Sequence, residues 1–346
     1  MKPSRPKYPI DQCALYKCQS RKRLEGLLTI EAGDLKNIQS AIKYSSFQIA
    51  KKHSDEKRTI TAPKKTLKAV QARILSLIGR VERPEWLISG EKGKSYIDNG
   101  KAHQNSNYML AIDIRKFYDN CKRNGVYLFF KERLKTSSDV AKILTDIVTY
   151  NNGIPTGCPT SQLIAYYAYE DMFLQIQQCA AAYGCVFTLY VDDMTFSSTV
   201  PFQHEKLLRE VDIILRRYGH RPKYKKVKYY AKDKPKPITG TIVTPEHTLD
   251  VPNQLQEKVY NNFQKVKTIA EQCDPTAIEK ATQSLLGQIQ ATQNLDCNRF
   301  PEIERLTKII RSTNTNIDLR PITPKKLAKR TKTHKIHIVA ATKTIK

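Results

Sequence analysis

The sequence predicts an α+β fold in which an antiparallel sheet packs helices on one face. Three observations predict it. Tyr108–Ile114 is a nearly continuous apolar run with one aspartate near its carboxyl end, the pattern of a largely buried strand. Cys185–Val191 and Met194–Ser198, rich in β-branched and aromatic residues, are separated only by Asp192 and Asp193, which reads as a hairpin with the aspartates at its turn. Around these strands lie apolar stripes at helical spacing.

In chain order, residues 1–55 read as a basic, helical lead-in, with Leu24, Leu27, Leu28, Leu35, Ile38, Ile42 and Ile49 at helical intervals. Residues 57–63 form a short strand pattern closed by Pro63, and a helix follows from Lys65 to its stop at Gly79. Residues 89–100 are polar and read as a loop. After the Tyr108 strand, Ser138–Tyr150 is an amphipathic helix with a serine cap signal. The loop from Gly153 to Ser161 opens what reads as one long helix to about Tyr183, gathering free amides and small residues at a helix start. Beyond the aspartate hairpin come a helix from His204 to Tyr218, two strand-like pieces at 227–231 and 238–243, and three helices at 255–270, 277–292 and 302–311.

The charge balance narrows the partners. Among 346 residues, 59 Lys and Arg face 33 Asp and Glu, a formal net charge of +26. Such an excess calls for a polyanion, nucleic acid or an anionic membrane surface. The run Arg221-Pro222-Lys223-Tyr224-Lys225-Lys226 interleaves tyrosine with cations, a pattern suited to phosphate contact. Lys325, Lys326, Lys329 and Arg330 belong to a terminal stretch without acidic residues that reads as an arm for a polyanion. No stretch is apolar enough to span a bilayer, and binding at a membrane surface would explain the charge but not the clustered carboxylates, so no membrane role is expected. Eight cysteines without a Cys-x-x-Cys pair read as reduced thiols of a cytoplasmic protein and speak against zinc.

Adjacent carboxylates repel, and folding alone gives no reason to place them together. A divalent metal does, because Mg²⁺ takes hard oxygen ligands, usually one or two carboxylates plus substrate phosphates. A solvated hairpin turn is the alternative for Asp192 and Asp193 alone, and a helix cap or an ion pair to arginine is the alternative for Asp113. The element order can bring Asp113 beside the pair, and three converging carboxylates suit two metal ions in phosphoryl transfer.

With these residues in view, the chain resembles a reverse transcriptase of the bacterial retron type. Tyr190-Val191-Asp192-Asp193 is similar to the family's Tyr-x-Asp-Asp motif, and Asp113-Ile114-Arg115-Lys116-Phe117-Tyr118 to its first palm motif. Ile154–Ser161 resembles the Leu-Pro-Gln-Gly-x-Pro-x-Ser loop, and Arg58-Thr59-Ile60 with Pro63 the fingers motif. Asn99-Gly100-Lys101-Ala102-His103 and Ile238-Thr239-Gly240 are similar to two retron elements, Asn-Ala-x-x-His and Val-Thr-Gly. The likeness covers roughly residues 20–245. Thr156 stands where the family has glutamine, Gln162 where it has proline, Gly100 where it has alanine, and the asparagine of the lysine motif is missing near Lys223.

The resemblance implies a right-hand polymerase fold. Its parts would be N-terminal helices and fingers over 1–105, a palm over 106–245 sharing residues 120–160 with the fingers, a helical thumb over 246–319 and a basic tail over 320–346. It implies two Mg²⁺ ions, replaceable by Mn²⁺, on Asp113, Asp192, Asp193 and the main-chain oxygen of Ile114. It implies Lys226 as proton donor to pyrophosphate, Tyr118 as the gate against ribonucleotides, and Arg58, Pro155, Thr156, Gly157 and Tyr190 around the incoming nucleotide. Asn99, His103, Thr239 and Gly240 would touch nucleic acid. The implied partners are deoxynucleotides, a structured non-coding RNA as template and primer, the DNA product and an effector or toxin protein in defence against phage. Priming from an RNA 2′-hydroxyl would give a branched RNA–DNA product. Two other readings stand beside it: a defence-associated reverse transcriptase with different priming or untemplated synthesis, and a polymerase-like RNA-binding scaffold without catalysis.

Overall fold

The computed structural model describes residues 6–31, 33, 35, 38–50, 57–272 and 274–313. The chain divides into two units, Met1–Pro252 and Asn253–Lys346.

The first unit opens with helices α1 (Arg21–Leu28) and α2 (Ile38–Ala41), then strands β1 (Tyr44–Ala50) and β2 (Lys57–Pro63). The lead-in is therefore not helical throughout. Ile42 and Ile49 are seven residues apart, as on a helix, but Phe47 and Ile49 alternate as on a strand, and β1 pairs antiparallel with β2 along its whole length. Helix α3 (Lys65–Ile78) follows, its Leu67, Val70, Ile74 and Ile78 in the core. A second correction falls at 89–100, where α4 (Tyr96–Ala102) replaces the expected loop. Ser95 and Asp98 form a capping box at its start, satisfying amides that would otherwise lack partners.

Strand β3 (Tyr108–Asp113) leads into α5 (Phe117–Asn120), α6 (Arg123–Leu128), a π-turn at 129–133, and α7 (Ser138–Val148). The expected long helix is two, α8 (Ser161–Ala168) and α9 (Glu170–Ala182). The break is Tyr169, whose hydroxyl accepts from the Lys122 amide at 2.9 Å and donates to the Asn120 carbonyl at 3.1 Å, at φ −127° and ψ 21°. Tertiary hydrogen bonds there outweigh helix continuity.

Next come β4 (Val186–Tyr190), β5 (Asp193–Ser198), α10 (His204–Arg217), β6 (Lys228–Tyr230), β7 (Lys236–Ile238), β8 (Thr241–Val243) and β9 (Leu249–Asp250). The central sheet has the order β4-β5-β3-β6, all antiparallel. Strand β3 divides its side chains by alternation. Leu110 and Ile112 join the main core with α9 and α10, whereas Met109 packs with Ile238 and Val243 of the small β7–β9 sheet. Met109 and Asp113 share a face, so β7–β9 cover one end of that face and leave the aspartate end uncovered. The strand-like piece 238–243 is split into two strands by a turn in which Thr239 (φ +38°) and Gly240 (φ +89°) are left-handed.

The second unit holds α11 (Asn253–Glu271), α12 (Pro275–Gln293) and α13 (Pro301–Thr313). Val259, Phe263, Ile278, Leu285, Ile289, Ile303 and Ile310 form its core, and Asp274 caps α12 with Pro275 in its first turn. No helix among the described residues is long and apolar enough to cross a membrane. The seven cysteines among them are free thiols.

Candidate active site

The geometry of the candidate site begins with a register. Strand β3 pairs with β5 so that Asp113 lies opposite Asp193, which also lies opposite Tyr190 across the β4–β5 hairpin. Only Val191 and Asp192 form the turn, so Asp193 is the first residue of a strand rather than part of the turn. Val191 is left-handed at φ +60°, an uncommon state for a β-branched residue. The Asp192 carbonyl accepts the Ile114 amide at 3.0 Å, which draws the turn onto the end of β3.

Two unpredicted contacts hold this turn. Trp86–Ser89 runs alongside β4: Leu189 donates to the Trp86 carbonyl at 2.9 Å, and Ile88 donates to the Leu189 carbonyl at 3.0 Å. The Ser89 hydroxyl then accepts the Val191 amide at 2.7 Å. A lone serine in a polar stretch carries no sequence signal for such a role.

Charge repulsion is evident in the carboxylates. Burial, then the Asp193 and Asp113 charges, push the Asp192 carboxyl up to about 6. Asp193 is raised by burial and then by Asp113. The Lys226 ammonium donates to Asp113 Oδ2 at 2.5 Å, and this bond raises the pKa of the lysine. Among the described residues no three His, Cys, Asp or Glu side chains already converge as an ion cage. The donor set still suits Mg²⁺, which needs one or two carboxylates and fills its octahedron with water and substrate phosphates.

A second assembly joins the Gly153–Ser161 loop to β2. The Gly157 amide donates to the Thr61 carbonyl at 3.0 Å, and a Cβ on Gly157 would lie 2.6 Å from that oxygen, so only glycine fits. The Thr156 hydroxyl, standing where the family has glutamine, donates to the Thr59 carbonyl at 3.2 Å. Pro155 is buried and its carbonyl accepts from Ser161. Arg58 lies in β2 opposite Ile49, with its side chain outside the described residues. Tyr118 sits half-buried in α5, its ring 5.6 Å from that of Phe117.

Of the two retron-like elements, the one from Asn99 to His103 has its named side chains buried. Asn99 and His103 are 0% and 1% exposed. Asn99 Nδ2 donates to Thr239 Oγ1 at 2.9 Å, and Thr188 donates its one proton to Asn99 Oδ1 at 2.6 Å. Thr188 must then accept from His103 Nε2 at 2.7 Å, leaving His103 Nδ1 to accept from Ser197 at 2.6 Å. Burial keeps this ring neutral, its pKa pushed down to about 3. The expectation of direct nucleic-acid contact by Asn99 and His103 is thus corrected: their polar atoms are spent inside, tying α4 to β4, β5 and the β7–β8 turn. Thr239 is half-buried in that turn, and Gly240 is exposed. Gly100 replaces the family alanine because a Cβ there would meet Thr241 Oγ1 at 2.5 Å and Leu249 at 3.1 Å. Lys325, Lys326, Lys329 and Arg330 lie outside the described residues.

The family model "Reverse transcriptase (RNA-dependent DNA polymerase)" matches residues 49–246. The chain belongs to this family. It is 26% identical over 194 residues to the Retron Se72 reverse transcriptase of Salmonella heidelberg, covering 55% of this chain and 51% of that one. It is 30% identical over 158 residues to the Retron Ec86 reverse transcriptase of Escherichia coli, covering 45% and 49%. The chain spans about half the length of these curated relatives.

Proposed function

We propose that this chain is an RNA-directed DNA polymerase that copies part of a dedicated structured non-coding RNA into DNA. The observation that carries this reading is the pairing of Asp113 with Asp193 beside the strained turn that presents Asp192. In it, Asp113, Asp192, Asp193 and the main-chain oxygen of Ile114 would hold two divalent ions. When bound, the ions acidify the attacking hydroxyl and balance charge on the leaving pyrophosphate.

The residues of the chain do the rest. Lys226 gives its proton to the leaving group, as general acids do across a short hydrogen bond. Tyr118 crowds the sugar against a 2′-hydroxyl, while Arg58, Pro155, Thr156, Gly157 and Tyr190 hold the incoming nucleotide. The +26 charge supports a nucleic-acid partner, and the second unit serves as the thumb, with the basic arm after residue 320 gripping RNA. Likeness to retron enzymes supports priming from an RNA 2′-hydroxyl, a branched product and action beside an effector against phage.

The test replaces Asp192 and Asp193 together by asparagine. Nucleotide incorporation is lost, while RNA affinity is kept or raised because negative charge has gone. Undiminished synthesis overturns the assignment. Sequencing nucleic acid that co-purifies with the chain tests the priming: a 2′–5′ branch supports it, and unbranched DNA overturns it.

A further inference from the structure

The stretches that meet at Asp113 and Lys226 also build a basic cavity. Ile114 pairs with Pro222 in an antiparallel bridge, with the Arg115 amide donating to the Arg221 carbonyl at 2.9 Å and the Lys223 amide to the Asp113 carbonyl at 2.7 Å. Arg221 therefore lies across from Arg115 in this bridge, just past the end of β3. Like charges opposite one another destabilise a pair of strands. Yet Arg115, Arg221 and the adjoining Lys116 have no carboxylate partner among the described residues, whereas Arg216 beside them is tied to Asp212 and Tyr224.

These cations border a cavity of about 510 Å³ with Asn120 and His220 in its wall. Asn120 Nδ2 donates to the Arg115 carbonyl at 3.0 Å, bracing the loop. His220 is 2% exposed, and neither of its ring nitrogens has a hydrogen-bond partner. Its ring instead packs against Phe117 and Tyr169, with centroids 5.3 and 4.6 Å away. Repulsion between the cations of this bridge is relieved by one kind of occupant, an anion. Guanidinium groups match phosphate oxygens in pairs, and the volume suits several phosphate groups rather than one.

We propose that this cavity binds a polyphosphate anion and that its occupant during the reaction is the released pyrophosphate. The identity of that occupant rests on the polymerase reading; the binding chemistry does not. Arg115 lies only two residues along the chain from Asp113, so the arginine pair is the next cationic group for a pyrophosphate leaving the carboxylates. The same phosphate chemistry could come from the tail of an incoming nucleotide, and the experiment separates the two.

The whole chain is titrated calorimetrically with inorganic pyrophosphate in EDTA. Without metal the carboxylates repel pyrophosphate, so the heat reports the arginine cavity. Arg115→Gln with Arg221→Gln weakens binding at least about tenfold, while Asp192→Asn leaves it unchanged or tighter. The paired variant weakens dATP less than about threefold. A fall for dATP equal to that for pyrophosphate overturns the product assignment in favour of the incoming triphosphate. Unchanged pyrophosphate affinity overturns the site, and so does a loss confined to RNA affinity, which would make the cavity a contact for an RNA backbone. If the paired variant melts early, Lys116→Gln with Arg221→Gln is used instead. A chain that binds pyrophosphate in EDTA but makes no DNA would refute the polymerase reading and leave the cavity standing.

Discussion

Lys226 donates to Asp113 Oδ2 at 2.5 Å, and the aspartate side chain is 14% exposed against 55% for the lysine. The ammonium thus sits on a carboxylate that is proposed to bind metal, from the solvent side and on a flexible stem. It balances charge when no ion is present and remains within reach of a leaving group. Lys226→Ala is expected to tighten divalent-ion binding in the absence of nucleotide, because Asp113 loses a competing cation. The same change lowers the rate of incorporation by about 10²-fold, the lower range for loss of a general acid. Metal titration and single-turnover kinetics check the two halves. A variant with a normal rate removes Lys226 from the chemistry.

The Asp192 carboxyl, pushed up to about 6 by burial and its carboxylate neighbours, sets a pH dependence. Its folded pKa lies above its unfolded value. Between those values the folded chain holds the extra proton, so metal-free stability falls as pH rises and stays lower above 6. Ion binding needs the deprotonated form and runs the other way. Divalent-ion affinity is expected to drop about tenfold from pH 7.5 to 5, and in EDTA at pH 7.5 Asp192→Asn should be more stable by about 1–3 kcal/mol. Denaturant melts with and without metal measure both. No gain in stability would mean that the carboxylates do not repel as described.

Ser89 holds a valine in a state that valine resists. Loss of the hydroxyl in Ser89→Ala leaves the Val191 amide without its acceptor and lets the turn relax. A fall of about tenfold in incorporation is expected, corresponding to roughly 1.4 kcal/mol. Glycine adopts the left-handed state freely, so adding Val191→Gly should restore much of the loss. Failure of the glycine to rescue would show that Ser89 acts by another route.

The buried chain of hydrogen bonds from Asn99 to Ser197 makes a prediction opposite to surface contact. His103→Phe takes one hydrogen bond from each of the Thr188 and Ser197 hydroxyls, which keep only Asn99 and Ser106 as partners, and each bond lost in this buried place costs about 1–3 kcal/mol. Stability should therefore fall by about 2–5 kcal/mol, with RNA affinity of the folded chain changed less than about threefold. Urea unfolding and filter binding at low temperature check this. A selective loss of RNA affinity at normal stability would return His103 to the nucleic-acid surface.

Much of this protein is legible in its residues because the signals are local. Apolar alternation around Asp192 and Asp193, the apolar run ending at Asp113 and the helical stripes of α3, α7 and α10 each express one element burying one face. The motif order carried the family. Other elements needed partners distant in sequence. Strand β1 is a strand because β2 lies beside it, α8 and α9 part because Tyr169 reaches Lys122 and Asn120, and His103 is buried because β4 and β5 close over it. The opposition of Arg115 and Arg221 likewise arises only when Ile114 meets Pro222, more than a hundred residues away. The sequence by itself determined which side chains are candidates for the chemistry. Tertiary structure alone decided which of them face one another and which are sealed inside, because burial and cross-strand register depend on segments that no local pattern connects.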